Sequence, residues 1–81
     1  MTDWTPPTNP SLSFADMDTL MDGFADPAHR DEATAYLDQI DDTALLYTLA
    51  AAWSRRRGDR HDKPVTGMTA DGFRTWIRNR I

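Results

Sequence analysis

Cysteine is absent from the 81 residues of this chain, which excludes disulfide bonds and thiolate metal sites. No apolar run approaches the ~20 residues that a membrane-spanning helix needs, so we expect no membrane partner. The first ten residues, MTDWTPPTNP, lack the basic and apolar regions of a signal peptide. Internal repeats and alternating strand patterns are also missing. These absences predict a helical, cytoplasmic protein.

The motifs of common enzyme classes are missing too. The sequence contains no nucleophile elbow, no phosphate-cradling glycine loop and no metalloprotease helix. His29 and Glu32 are three residues apart and could share a metal, but two ligands do not complete a site. His61 lies in a turn-like stretch without a positioned partner for general-base chemistry. We therefore predict a protein that is not an enzyme and that uses no metal or cofactor.

The strongest pattern in the sequence is a helix over residues 43–57, TALLYTLAAAWSRRR. Alanine and leucine are the best helix formers. Either Asp41 or Asp42 is predicted to cap its first turn, and Gly58 permits the left-handed residue that closes many helices. The face opposite the leucines is small and weakly polar, so we expect neighbours on more than one side of this helix.

Three further helices are predicted around it. The first covers about 14–24, capped by Ser11 or Ser13, and the second covers 27–40, starting from the pair Asp26–Pro27. The last begins after a Thr69 cap. The first two are separated by a break at Gly23 and residues 25–27, and a loop over 58–68 is predicted to be held by Val65 and Met68.

The predicted architecture is all-α. It is a compact four-helix bundle, with three long helices plus one short N-terminal helix, forming a single domain over 13–81. An extended Pro-rich arm covers 1–12, from which Trp4 is expected to dock on the bundle; the alternative is a partner anchor. The predicted core comprises Phe14, Met17, Leu20, Met21, Phe24, Tyr36, Leu37, Ile40, Leu45, Leu46, Leu49, Trp53, Phe73, Trp76 and Ile77.

The net charge of −4 conceals a strong asymmetry along the chain. Residues 1–42 contain ten acidic side chains and one basic, whereas residues 43–81 contain eight basic and three acidic. A short connection through Asp41 and Asp42 predicts an antiparallel hairpin that brings Arg55–Arg57 near the start of the second helix. Part of the asymmetry is then neutralised within the molecule, although exposed pairs contribute only ~0–1 kcal/mol each.

The acidic half favours a role in binding another protein. A face of the first two helices could dock on a basic groove of a partner, including a groove meant for nucleic acid. Small inhibitors and adaptors of bacteriophages or mobile elements are of this general type. Ordinary solubility also explains an acidic face. The predicted partner-binding residues are Asp18, Asp22, Asp31, Glu32 and Asp38.

The alternative is a small DNA-binding accessory factor that uses the basic C-terminal half. The acidic sequence pI of about 4.8 disfavours it, because nucleic-acid binders usually carry a basic footprint. A bipolar chain could also associate head to tail with a second copy. The residues of the nucleic-acid hypothesis are Arg55, Arg56, Arg57, Arg60, Lys63, Arg74 and Arg78.

Overall fold

The computed structural model describes residues 4–7, 12–59 and 61–81. No strand occurs among these residues, and the prediction of an all-α protein with four α-helices is confirmed. The elements are α1 (Phe14–Ala25), α2 (Arg30–Tyr36), a 3-10 helix (Leu37–Gln39), α3 (Thr43–Arg57) and α4 (Ala70–Arg78).

The chain divides into two compact units, an N-terminal unit Met1–Gln39 and a C-terminal unit Ile40–Ile81. Helix α1 packs against α2 in the N-terminal unit, and α3 packs against α4 in the C-terminal unit. The arm over 1–12 and the single domain over 13–81 stay predictions.

Local capping chemistry explains where three of the helices begin. Ser13 Oγ accepts a hydrogen bond from the Asp16 N–H at 3.2 Å, and the Ser13 N–H donates to the Asp16 carboxylate at 3.1 Å. This reciprocal pair is a capping box. The Asp42 carboxylate accepts from the Ala44 N–H at 2.9 Å, and Thr69 Oγ1 caps α4 in the same way. The predicted caps of these helices are confirmed.

The second helix is shorter than predicted. Asp26 and Pro27 form a turn in which Asp26 Oδ1 accepts from the Ala28 N–H at 3.0 Å and Asp26 O accepts from the His29 N–H at 3.0 Å. Helix α2 therefore begins only at Arg30, has seven residues, and continues into the 3-10 helix. The shortest α-helix is thus the second one, whereas the N-terminal α1 has twelve residues.

The side chain of Trp4 is docked within the N-terminal unit, as predicted. Its indole N–H donates to the Thr19 carbonyl oxygen at 2.6 Å, and its ring stacks on His29 with 5.7 Å between ring centroids. Gly23 lies buried beneath the indole. Gly23 does not break α1 as predicted but lies inside it, where the missing side chain makes room for Trp4.

Most of the predicted core is buried, Leu45 and Trp76 are half-buried, and two other side chains expected to reach the interior are exposed. Phe14 is 80% exposed because it is the first residue of α1, at the edge of the buried arc. Val65 is 65% exposed because the neighbouring Pro64 is the buried residue of that loop. Both predictions were wrong.

Candidate protein-binding surface

Helix α1 presents one exposed stripe that combines an aromatic ring with two carboxylates. Phe14, Asp18 and Asp22 follow one another at intervals of four residues, and side chains at this spacing share a helix face. All three are exposed, and we call them the Phe14 stripe. The side chains that α1 buries are Met17, Leu20, Met21 and Phe24.

The second element of the N-terminal unit adds further acidic groups. Asp31 and Glu32 are exposed in the first turn of α2, where the positive end of the helix dipole stabilises negative charge. Asp38 is exposed in the 3-10 helix. All five predicted partner-binding acids therefore lie on the surface of one unit. Two of them, Asp22 and Asp38, also interact with neighbouring groups.

The exposure of Phe14 was missed at the sequence level, although a signal was present. Its apolar character assigned it to the core together with Met17 and Met21. The capping residue Ser13, however, makes Phe14 the first residue of the helix, and the next residues on its own face are Asp18 and Asp22. An aromatic residue in register with two carboxylates belongs to the solvent face.

Several cations of the C-terminal unit are held by carboxylates of the same unit. Arg74 donates to the Ile40 carbonyl oxygen and to the Asp41 carboxylate, each at 2.8 Å, and also pairs with Asp71. Only 11% of the Arg74 side chain is exposed. Arg74 thus connects α4 to the segment before α3 and is not an exposed cation.

Asp62 is the centre of a second group of ion pairs in the same unit. Arg80 donates two hydrogen bonds to its carboxylate, and Arg57 donates a third at 3.1 Å. The hydrogen bonds from Arg80 hold the pKa of Asp62 below its usual range. Partial desolvation opposes them, and the hydrogen bond from Arg57 lowers the pKa further. The Arg80 guanidinium also lies 3.8 Å from the centre of the Trp76 ring. The carboxylate therefore links the loop before α4 to α3 and to the C-terminal residues.

The remaining cations of the nucleic-acid hypothesis are more exposed. Arg55, Arg56, Lys63 and Arg78 lie on the surface, and Arg60 lies outside the described residues. Arg56 and Arg78 make further interactions. Pairing thus removes Arg57 and Arg74 from the predicted basic surface.

His29 and Tyr36 of the N-terminal unit interact with neighbouring side chains, whereas His61 belongs to the C-terminal unit. His29 stacks on Trp4 and lies 3.8 Å from the Asp26 carboxylate, while His61 is exposed. Burial raises the pKa of Tyr36, and the nearby Asp16 carboxylate raises it further. Within residues 4–7, 12–59 and 61–81, no group of three or more His, Asp or Glu side chains could hold a metal ion.

No helix in the described part of the chain is long and apolar enough to cross a membrane. Comparison of the chain with family models, curated proteins and solved structures finds no match.

Proposed function

We propose that this chain is a protein-binding module without catalytic activity, whose acidic N-terminal unit covers a basic surface of a partner protein. The exposure of all five acids, Asp18, Asp22, Asp31, Glu32 and Asp38, on that unit is the observation that carries the proposal. Residues 1–42 contain ten acidic and only one basic side chain, so this half of the chain has a strongly negative charge.

The Phe14 stripe supplies the anchor of this interaction. Aromatic side chains are enriched among the few residues that carry most of the binding free energy at interfaces. Phe14 offers a ring that is 80% exposed, with Asp18 and Asp22 one and two turns further along the same face. The partner that fits this stripe has an apolar pocket next to lysine or arginine side chains, and it receives α1 in a groove.

The negative charge of the N-terminal unit is expected to raise the rate and the selectivity of association with the partner. Complementary charges steer the encounter of two proteins and raise the association rate, particularly at low salt. A basic groove that normally holds nucleic acid is one such partner surface. Covering it would make the chain an inhibitor or adaptor of the kind that phages and mobile elements encode.

The DNA-binding alternative has weaker support. Arg57 and Arg74 are engaged by Asp62, Asp41 and Asp71, which lowers the positive charge available to phosphates. The exposed cations Arg55 and Lys63 still favour this alternative, and it predicts binding that weakens steeply with salt through counterion release. Retention of duplex DNA at low salt that disappears in an Arg55→Gln, Lys63→Gln double variant would support it over the first proposal.

A site-specific crosslink tests the proposed surface. A photo-crosslinking phenylalanine analogue replaces Phe14 in one variant and, in a matched control, Val65, which is also well exposed and lies in the other unit. Both proteins are irradiated in a lysate of the organism that encodes the chain. We expect a crosslinked protein with a basic groove from position 14 and not from position 65.

The captured partner is then purified and its association rate measured. We expect the Asp18→Asn, Asp22→Asn double variant to associate more slowly than the native chain and to lose much of the salt dependence. Equal capture from positions 14 and 65, or an association rate that the double variant leaves unchanged, would contradict the proposal.

A further inference from the structure

A cleft of about 400 Å³ opens in the C-terminal unit between one face of α3 and the loop that follows it. Tyr47, Ala51 and Arg55 are spaced by four residues and form the α3 side. Lys63 lies on the loop side, and Pro64 is buried there. Ser54 and Asp59 complete the lining. This volume falls within the roughly 300–1,000 Å³ that is usual for small-molecule sites.

The loop wall of the cleft is held in place by hydrogen bonds. Ser54 Oγ donates to the Asp62 carbonyl oxygen at 2.6 Å, and the Asp59 N–H donates to the Ser54 carbonyl oxygen at 3.1 Å. Asp59 Oδ1 accepts from the N–H groups of His61 and Asp62 at 3.2 and 3.1 Å. Together with the ion pairs of Arg57 and Arg80 with Asp62, these hydrogen bonds hold the loop against α3, so the cleft is preformed.

Two cations at the cleft differ from their neighbours. Arg57, Arg74 and Arg80 each pair with a carboxylate. The side chains of Arg55 and Lys63, by contrast, form no hydrogen bond or ion pair with any residue in the described ranges. The one acidic side chain of the lining, Asp59, already uses an oxygen for two backbone N–H groups. The cleft therefore presents guanidinium and ammonium donors that can bind an anion from outside.

Apart from Ser54, the rest of the lining is apolar or aromatic. The Tyr47 ring is held edge-on against Phe73, with 6.0 Å between centroids and 82° between planes, and is 36% exposed. Ala51 and Pro64 add small apolar surfaces to the lining. This combination suits a flat ring joined to a negatively charged group.

We propose that this cleft binds a small molecule that carries both an aromatic ring and a carboxylate or phosphate. The oxyanion lies between Arg55 and Lys63, where charge-assisted hydrogen bonds are strongest and arginine can bind it with two parallel donors. The ring lies on Tyr47, Ala51 and Pro64. This site is independent of the Phe14 stripe and of the proposed protein partner.

The test is an amide chemical-shift titration of the full chain by nuclear magnetic resonance. The probes are adenosine monophosphate and 4-hydroxybenzoate, which carry the two oxyanions, with adenosine and inorganic phosphate as matched controls. We expect saturable shifts at Ala51, Ser54, Asp59 and Lys63 with at least one of the first two probes. The tighter of the two identifies the preferred oxyanion.

Variants of the cations connect binding to the cleft. Arg55→Gln and Lys63→Gln are each expected to weaken the binding of the tighter probe about tenfold, the effect of one lost charge-assisted hydrogen bond. Arg56→Gln, which removes the adjacent cation outside the lining, is expected to leave affinity unchanged. Ala51→Leu fills the cleft and should abolish the shifts, with circular dichroism to confirm that the variant folds.

Several results would overturn the inference. One is the absence of saturation with both anionic probes; another is an equal effect of Arg55→Gln and Arg56→Gln. If adenosine binds as tightly as adenosine monophosphate, the cations do not contribute to binding. If inorganic phosphate binds as tightly as adenosine monophosphate, the aromatic ring does not contribute. Affinity for single-stranded oligonucleotides that rises with their length would reassign Arg55 and Lys63 to a nucleic-acid surface.

Discussion

The indole of Trp4 lies directly against the backbone of Gly23. A Cβ atom built on Gly23 would lie 2.7 Å from Trp4 Cζ2 and 2.7 Å from the Cβ of Ala33. Real Cβ atoms do not approach other heavy atoms so closely. Gly23 thus lets α1, α2 and the segment at Trp4 come together at one point.

Replacing Gly23 with alanine should destabilise the protein although alanine is the better helix former. We expect a loss of about 1–2 kcal/mol, because overpacking costs roughly 1–3 kcal/mol and the gain in helix propensity is at most about 1 kcal/mol. Urea unfolding measures the difference.

A double-mutant cycle with Trp4→Ala is the control for Gly23→Ala. Removing the indole should reduce the cost of the extra methyl group by at least about 0.5 kcal/mol, while the contact with Ala33 remains. Additive effects of the two substitutions, or a stabilising Gly23→Ala, would show that the docking of Trp4 does not depend on Gly23.

Gly58 closes α3 in the left-handed conformation, with φ at 76° and no atom near its missing Cβ. Gly58→Ala should therefore lower the free energy of unfolding by about 1 kcal/mol through backbone strain alone. Gly58→Asn should cost less, since asparagine tolerates this conformation better. Equal stability of the alanine variant and the native chain would contradict the assigned helix end.

The carboxylate of Asp62 should make stability depend on pH in the acid range. Its hydrogen bonds with Arg80 and Arg57 lower its pKa in the folded state, so the unfolded chain binds more protons in that range. This contribution is fully present above the unfolded pKa of about 4 and is lost as the pH falls through the folded pKa. Thermal unfolding of the native chain and of Asp62→Asn between pH 2 and pH 7 measures it. We expect a shallower acid dependence for Asp62→Asn, and parallel curves would refute the assignment.

Arg74 should be a determinant of stability rather than of nucleic-acid binding. Its guanidinium donates hydrogen bonds to the Ile40 carbonyl oxygen and to two carboxylates. The ammonium group of lysine cannot reproduce this planar arrangement of donors. We expect Arg74→Lys to destabilise the protein by about 1 kcal/mol, mainly through the part-buried hydrogen bond to Ile40, because the Asp41 and Asp71 side chains are each 92% exposed. The matched change Arg55→Lys, on the exposed face of α3, should alter stability by less than about 0.5 kcal/mol. If Arg55→Lys destabilised the protein more than Arg74→Lys, Arg74 would again be a candidate for nucleic-acid binding.

Local signals in the sequence predict part of the fold well. The range 43–57 agrees with α3 because its cap Asp42 and its closing residue Gly58 act within one turn of the helix ends. The start of α2 was mispredicted because an aspartate followed by proline can begin a helix or form a turn with similar local hydrogen bonds. Periodicity gives the direction of a side chain such as Phe14 but not whether another element covers it.

For the candidate sites too, the sequence predicts features that depend on a single residue but not contacts between distant segments. Charge alone predicts that Asp18 and Asp31 are exposed, since an unpaired buried carboxylate is costly. The cleft beside Arg55 could not be predicted, because it exists only when the loop with Asp59 and Pro64 folds back along α3. The pairing of Arg74 with Asp41, 33 residues away, likewise depends on tertiary structure.

The most direct test of the account is the affinity of the captured partner for Phe14→Ala. Because Phe14 is 80% exposed, its removal should leave the thermal unfolding of the protein unchanged. It should weaken binding by about 30-fold, the effect of an interface anchor worth roughly 2 kcal/mol. Val65→Ala, which removes a similarly exposed apolar side chain, should bind like the native chain. If calorimetry gives the Phe14→Ala variant native affinity, the stripe on α1 is not the binding surface.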